Sequence, residues 1–224
     1  MKCKTPAQDS RAALLSAARQ VFAEKGYDGT TVKQLADKAG VNVSLVSYHF
    51  GGKEGLYKEC ILHVAEARIE SMERLLQAPQ NRDELKLRLR LFAEEMTEVH
   101  CRELGLCLIV HRDVDLGNPI AVDIFKNVFH RLFKSLVAFF AAAESRGVIL
   151  PQKNPEILTS LVFGSLTSFL QSEKKREVLG LGSIQDPTFR ANFITSWLEL
   201  IWSGIGNDDF APRTVLAPEQ ENAK

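Results

Sequence analysis

The chain contains no apolar run long enough to cross a bilayer. The longest, Leu136 to Ala143, is eight residues, against the roughly 20 that a membrane-spanning helix needs, so no membrane partner is expected. The opening residues, Met1-Lys2-Cys3-Lys4-Thr5-Pro6, pass into polar sequence without the apolar segment of a secretory signal; a cytoplasmic location is the default expectation. Only four cysteines are present (Cys3, Cys60, Cys101, Cys107), with no CxxC pair among them. That is no disulfide framework for a chain of this size, and reduced thiols are expected. Neither sign of charge prevails, since Lys+Arg 28 balances Asp+Glu 28. Period-two alternation is missing throughout, which excludes a half-buried sheet. No glycine-rich phosphate loop and no nucleophile elbow occurs, so neither an enzyme nor a cofactor is indicated.

What is present is ordinary for a folded chain: 224 residues, 45% hydrophobic and 25% charged, enough for one large domain or a small one joined to a larger. The neutral total conceals an asymmetry. Residues 1–55 carry eight basic side chains against five acidic, an excess of three, and the remainder has a deficit of three. A basic N-terminal segment on an acidic body suits a small nucleic-acid-binding module attached to something else.

Helical periodicity accounts for nearly all of the apolar residues. Leu14, Ala17, Ala18, Val21 and Phe22 form an i, i+3, i+4 stripe that ends at Gly26. Thr31 with Gln34 three residues later fits a capping box and opens a second short helix ending at Gly40; Asn42 can cap a third, Val43 to His49, which Gly51-Gly52 breaks. A long helix follows from about Lys53 to Leu76, a fifth begins at Asn81, and a short sixth follows Gly105. Asn118-Pro119, Asn154-Pro155 and Asp186-Pro187 each place a side-chain acceptor at an N-cap and a proline at the first helical position, and each predicts a helix. The expected fold is all-α with about nine helices: a tail over 1–8, a small three-helix domain over 9–52, a larger helical domain over 53–206, and a flexible tail over 207–224.

Two features predict a second copy of the chain as partner. The last helix carries two apolar stripes, one through Trp197 and the other through Trp202, and needs cover on two sides. The helix before it has small residues at Ser160, Gly164 and Ser168, where another helix could approach closely. A homodimer interface through Ser160, Gly164, Ser168, Trp197 and Trp202 is expected.

Three short helices with Ala39-Gly40-Val41 between the second and third spell a helix-turn-helix. Leu35 and Ala36 must face the small core, Gly40 must be free to take positive φ, and Val46 must anchor the third helix. Val43, Ser44, Ser47 and Tyr48 then project outward without a carboxylate among them, as a helix entering a major groove requires.

The stretch Leu14 to Leu56, especially Phe22-Ala-Glu-Lys-Gly-Tyr-Asp-Gly-Thr-Thr31, Leu35-Ala36, Gly40-Val41 and Tyr48-His49-Phe50-Gly51-Gly52-Lys53-Glu54-Gly55-Leu56-Tyr57, resembles the DNA-binding domain of the tetracycline-repressor (TetR) family. The resemblance covers about the first quarter of the chain; the body has no comparably specific motif. It implies a homodimer that binds double-stranded operator DNA and releases it when a small-molecule effector occupies the larger domain. Position by position, it implies contacts from Thr31 and Lys33 to phosphate or a groove edge, base-facing positions at Val43, Ser44 and Ser47, and phosphate clamps at His49 and Lys53; Asn42, the cap of the third helix, is counted among the DNA-binding residues. The family often has an aromatic residue where Ser47 stands; Tyr48, next to it, is expected to take over part of that contact.

A regulator of this plan needs an apolar cavity with a few polar handles. Phe125, Phe129 and Phe133, with His63, His100 and His111, are the candidates to line it, and the expected ligand is apolar or amphipathic. Two alternatives stay open: a metal- or thiol-responsive regulator that uses the Cys/His scatter, and a DNA-binding protein without effector control. Against metal, Cys101 and Cys107 stand six apart, which is not a compact ligand spacing.

Overall fold

In a computed structural model the described residues are 6–151 and 154–206, apart from the side chains of 6–8, 63–65, 67, 68, 104, 106 and 108. They form ten helices and no strand: α1 Pro6–Lys25, α2 Val32–Ala39, α3 Ser44–Phe50, α4 Lys53–Leu75, α5 Arg82–Arg102, α6 Leu104–Asp115, α7 Pro119–Ser145, α8 Pro155–Gln171, α9 Glu173–Leu179 and α10 Pro187–Ile205. A single antiparallel bridge, Ile149 to Gly206, ties the end of α10 to the α7–α8 connection.

The helix starts follow the local chemistry. Asn118, Asn154 and Asp186 each accept hydrogen bonds from the two backbone amides that follow the N1 proline. Thr31 and Gln34 exchange bonds in a full capping box, and Asn81 accepts from the Glu84 amide. Two expectations need correction. Helix α1 begins at Pro6, so it takes in 6–8 of the predicted tail; residues 1–5 and the predicted tail over 207–224 lie outside the described residues. The count exceeds nine because of α9, which Gly180 closes in the left-handed conformation but whose start no side-chain cap marks.

Helix α9 exists because of tertiary burial. Glu173 and Arg176 are both buried and ion-paired, and the Arg176 guanidinium lies 3.9 Å from the centre of the Phe169 ring. Glu173 also accepts from the Ser183 hydroxyl and, at 3.3 Å, from the Ile184 amide. Burial alone would raise the Glu173 pKa, but these bonds outweigh it and hold the carboxylate below its usual range.

Two apolar clusters organise the molecule. One joins α5, the end of α7, α8 and α10 around Phe92, Phe139, Phe140, Leu166 and Trp197. The other gathers Leu14, Phe22, Leu35, Ala36, Val46, Leu56 and Tyr57, and continues into Ile109 and Val110 of α6 and Ile124 and Val128 of α7. The N-terminal three-helix unit is thus seated on α6 through α1. At the contact Gly105 is required by space, because a Cβ there would stand 2.8 Å from that of Ala23.

Candidate nucleic-acid interface and ligand cavity

The N-terminal helices are held by a small core with a polar exterior. Leu35, Ala36 and Val46 are buried, and Gly40 takes φ 67° to turn α2 into α3, a conformation that costs a residue with a Cβ. The outward side of α2 and α3 carries the predicted DNA contacts: Thr31, Lys33, Asn42, Val43, Ser44, Ser47 and Tyr48 are all exposed, Tyr48 at 76%. The Asn42 side-chain oxygen accepts from the Ser44 amide at 2.9 Å and the Ser44 hydroxyl at 2.8 Å, so it caps α3 and orients Ser44.

The two predicted phosphate clamps have internal partners. His49 Nε2 lies 2.9 Å from the Ser10 hydroxyl, which ties α3 to α1. Lys53 Nζ donates to the carbonyls of Tyr27 and Thr30, both at 3.0 Å, and sits 4.1 Å from the centre of the Tyr27 ring. Two of the three Lys53 donors and its π contact thus fasten the start of α4 to the α1–α2 loop. Lys33 is the freer cation.

A cavity of about 100 Å³ opens among α4, α5, α6, α7 and α8, walled mainly by apolar side chains including Ile69, Met72, Met96, Val110 and Leu170. Of the six predicted ligand residues it brings together His100, His111 and Phe129. Phe125 stands behind, stacked on Phe129 at 4.7 Å and 6.2 Å from the His111 ring. Phe133 is not in the wall; on α7 the neighbouring Leu132 takes that place, because adjacent helical residues face different ways. The His63 side chain lies outside the described residues. Sequence reasoning missed Met72 and Met96, whose helical stripes mark them only as interior, and Thr167 and Gln171, which belong to no apolar stripe.

The two histidines differ from surface ones. Burial, with His111 as a lesser cause, pushes His100 down to about 4; burial also lowers His111. Both are neutral at pH 7. A separate, more polar cleft of about 370 Å³ shares His111 and Gln171 with the cavity and adds Arg112, Ser168 and Lys175.

The cavity connects to the DNA-binding helices along α6. Immediately after Val110 and His111, Asp113 is buried and accepts the Tyr57 hydroxyl at 2.7 Å. Arg112 bonds Asp113 at 3.2 Å and reaches the backbone at Gly26, where a Cβ would collide with its guanidinium. Tyr57 in turn packs edge-on against Phe22 and Tyr27 at 5.0 Å each. The pair Tyr57–Asp113 was invisible in the sequence, since 56 residues separate its members.

The metal and thiol alternatives gain nothing. Among the described residues no group of three or more His, Cys, Asp and Glu gathers as a metal site would. Burial pushes the Cys60 thiol up to about 12 and that of Cys107 to about 11, so neither is a thiolate at neutral pH.

Of the predicted dimer residues, Ser160 and Ser168 are exposed and a Cβ on Gly164 would meet nothing within 4 Å. Trp197 is corrected: it is 5% exposed and its indole N–H donates to the Ser165 hydroxyl at 2.9 Å, inside its own protomer. Trp202 is also occupied at home, with Lys86 Nζ 4.1 Å from its ring centre. The large apolar side chains left outward on these helices are Ile157 and Leu161 on α8 and Leu200 on α10.

Comparison with known proteins agrees with this geometry. Residues 14–60 match the model of bacterial regulatory proteins of the tetR family. The chain is 33% identical over 103 residues to the HTH-type transcriptional repressor AcnR of Corynebacterium efficiens, covering 42% of this chain and 55% of the relative. Against AcnR of Corynebacterium glutamicum it is 32% identical over 129 residues, covering 54% and 66%. The matched stretch thus spans less than two thirds of either relative. The fold also resembles the transcriptional regulator FadR of Bacillus subtilis in complex with stearoyl-CoA, at TM-score 0.70 and 18% identity, covering 86% of this chain and 98% of that one.

Proposed function

Because the chain belongs to the TetR family of bacterial regulatory proteins, we propose that it is a sequence-specific transcriptional repressor, released from its operator when a small molecule enters the cavity. The observation that carries this reading is the placement of α6. Val110 and His111 wall the cavity, and the next two residues hold Tyr57 of α4 and the α1–α2 loop. A ligand that displaces α6 by a fraction of an ångström must move or break the Tyr57–Asp113 bond. It thereby shifts α4 and the α2–α3 unit that rests on it. Packed elements respond to such a push by switching arrangement rather than bending smoothly.

The acting form is a homodimer, as two recognition helices one DNA turn apart require. The outward face of α8 and α10, with Leu161 at 67% and Leu200 at 72% exposure beside open Gly164, supports an interface there in place of the tryptophans. Val43, Ser44, Ser47 and Tyr48 read bases, and Thr31, Lys33 and His49 meet phosphate or groove edges. The domains run over 9–52 and 53–206, with the boundary at the start of α4.

The test is fluorescence anisotropy of the purified protein on its own upstream region, with and without ligand. Tyr57→Phe removes one hydroxyl; it is expected to keep operator affinity within about twofold and to lose most of the ligand response. A variant that responds as wild type does would remove α6 as the coupling element.

A further inference from the structure

Among the described residues, the cavity wall holds a fully buried polar atom that the protein leaves without a partner. His100 is 5% exposed, its ring lines the cavity, and its Nε2 is buried without a hydrogen-bond partner. The Leu170 carbonyl lies close enough to the ring to favour its protonated form; with the hydrogen of the neutral ring on Nδ1, Nε2 is left as an acceptor. Of the other polar groups in the wall, the Thr167 hydroxyl donates to the Phe163 carbonyl at 3.0 Å and the Cys107 thiol is a poor donor, while the His111 ring and the Gln171 amide are shared with the neighbouring cleft.

A buried acceptor without a donor is costly, and its cost is recovered when something donates to it. Among the described residues the wall holds no Lys or Arg; the cations Arg112 and Lys175 belong to the neighbouring cleft. A carboxylate placed in the cavity would therefore face a second acceptor with no counter-charge, and an ammonium would lose its hydration for one bond. At about 100 Å³ the space is of the order that admits a single apolar ring.

Building on the effector reading above, we propose that the neutral His100 ring carries its hydrogen on Nδ1, that the cavity selects an uncharged, compact, mostly apolar molecule bearing one hydroxyl or N–H donor, and that the buried Nε2 accepts that hydrogen. His100 then decides specificity, and Phe129 with Met72 and Met96 provides the apolar enclosure.

Three matched probes test this at pH 7.5 by calorimetry on the full-length protein: 4-methylphenol, 4-methylanisole and 4-methylbenzoate. They share a ring and a methyl group but offer a donor, no donor and a negative charge. The phenol is expected to bind about tenfold more tightly than the ether, one hydrogen bond's worth, and the benzoate more weakly than both. In His100→Phe the phenol should fall to the level of the ether, whose own affinity stays. His100→Gln, which keeps an acceptor, should restore part of the preference. The His100 Nε2 nitrogen resonance of the wild-type protein, which needs no variant, should move with the phenol and not with the ether.

Equal binding of phenol and ether, or a nitrogen resonance indifferent to the phenol, overturns the role of His100 while the cavity stands as a ligand site. Preference for the benzoate overturns it too and points to the Arg112–Lys175 cleft. If none of the three binds at millimolar concentration, both this inference and the effector site itself fall.

Discussion

Single side chains in this protein divide between those that read DNA and those that hold the reading helix in place, and the two kinds separate by measurement. Lys33 is exposed on α2, whereas Lys53 spends its ammonium on two carbonyls and a ring. Lys33→Ala is expected to weaken binding to all DNA sequences alike and to lower the salt dependence by about one phosphate, with the melting temperature unchanged. Lys53→Ala should lower the melting temperature as well as the affinity, because the start of α4 is released. Titrations at several salt concentrations together with thermal denaturation separate the two. Substitutions of Ser44 and Ser47 should instead change which bases are preferred.

His100 also predicts a pH dependence. Its folded pKa of about 4 lies below the ordinary value of 6.5, so between those values the unfolded chain takes up a proton that the folded chain refuses. Stability is complete above about pH 6.5 and declines as pH falls toward 4. A shift of this size corresponds to roughly 3 kcal/mol, and the lowered His111 acts in the same direction. Chemical denaturation at pH 7.5 and pH 5 should show a larger loss for wild type than for His100→Phe.

Among whole elements, α9 and α8 show what tertiary context adds to a helix. The seven residues of α9 are too few to be stable alone, and the buried Glu173–Arg176 pair holds them against Phe169. Arg176→Leu leaves Glu173 buried without its counter-charge and is expected to cost about 3–5 kcal/mol in urea denaturation. On α8, Gly164 has open space around its missing Cβ, so a large side chain there leaves the protomer intact. Gly164→Phe should keep the helical circular dichroism of wild type yet sediment as a monomer at micromolar concentration and bind operator weakly. A Gly164→Phe dimer with normal operator affinity would place the interface elsewhere. Substituting Trp202 is a poorer probe, since its ring is partly buried against the helix carrying Lys86.

For the molecule as a whole, the relevant quantity is the coupling between cavity and DNA surface. Allosteric coupling is typically about 1–3 kcal/mol, or roughly five- to 150-fold, and it is reciprocal: operator DNA must weaken the ligand by the factor by which the ligand weakens operator binding. Calorimetric titration of a releasing ligand in the presence and absence of operator DNA measures that factor directly. Equal affinities would mean that cavity and DNA surface are not linked.

The amino-acid sequence by itself determined whatever depends on near neighbours in the chain. Helix starts at Thr31, Asn118, Asn154 and Asp186, the turn at Gly40, the buried Leu35–Ala36 pair and the acid-free face of α3 all arise within a few residues, where capping, φ preference and helical period act. The resemblance to the tetR family resides in that same local stretch. Tertiary structure alone decided everything that joins distant residues. It turned Trp197 inward to Ser165, used Lys53 as a fastener, set Leu132 instead of Phe133 in the cavity wall, folded α9 around a buried ion pair and joined Tyr57 to Asp113. The physical reason is that a helical stripe announces that a side chain will be buried, while the packing angles and chain connections between helices determine what it will be buried against.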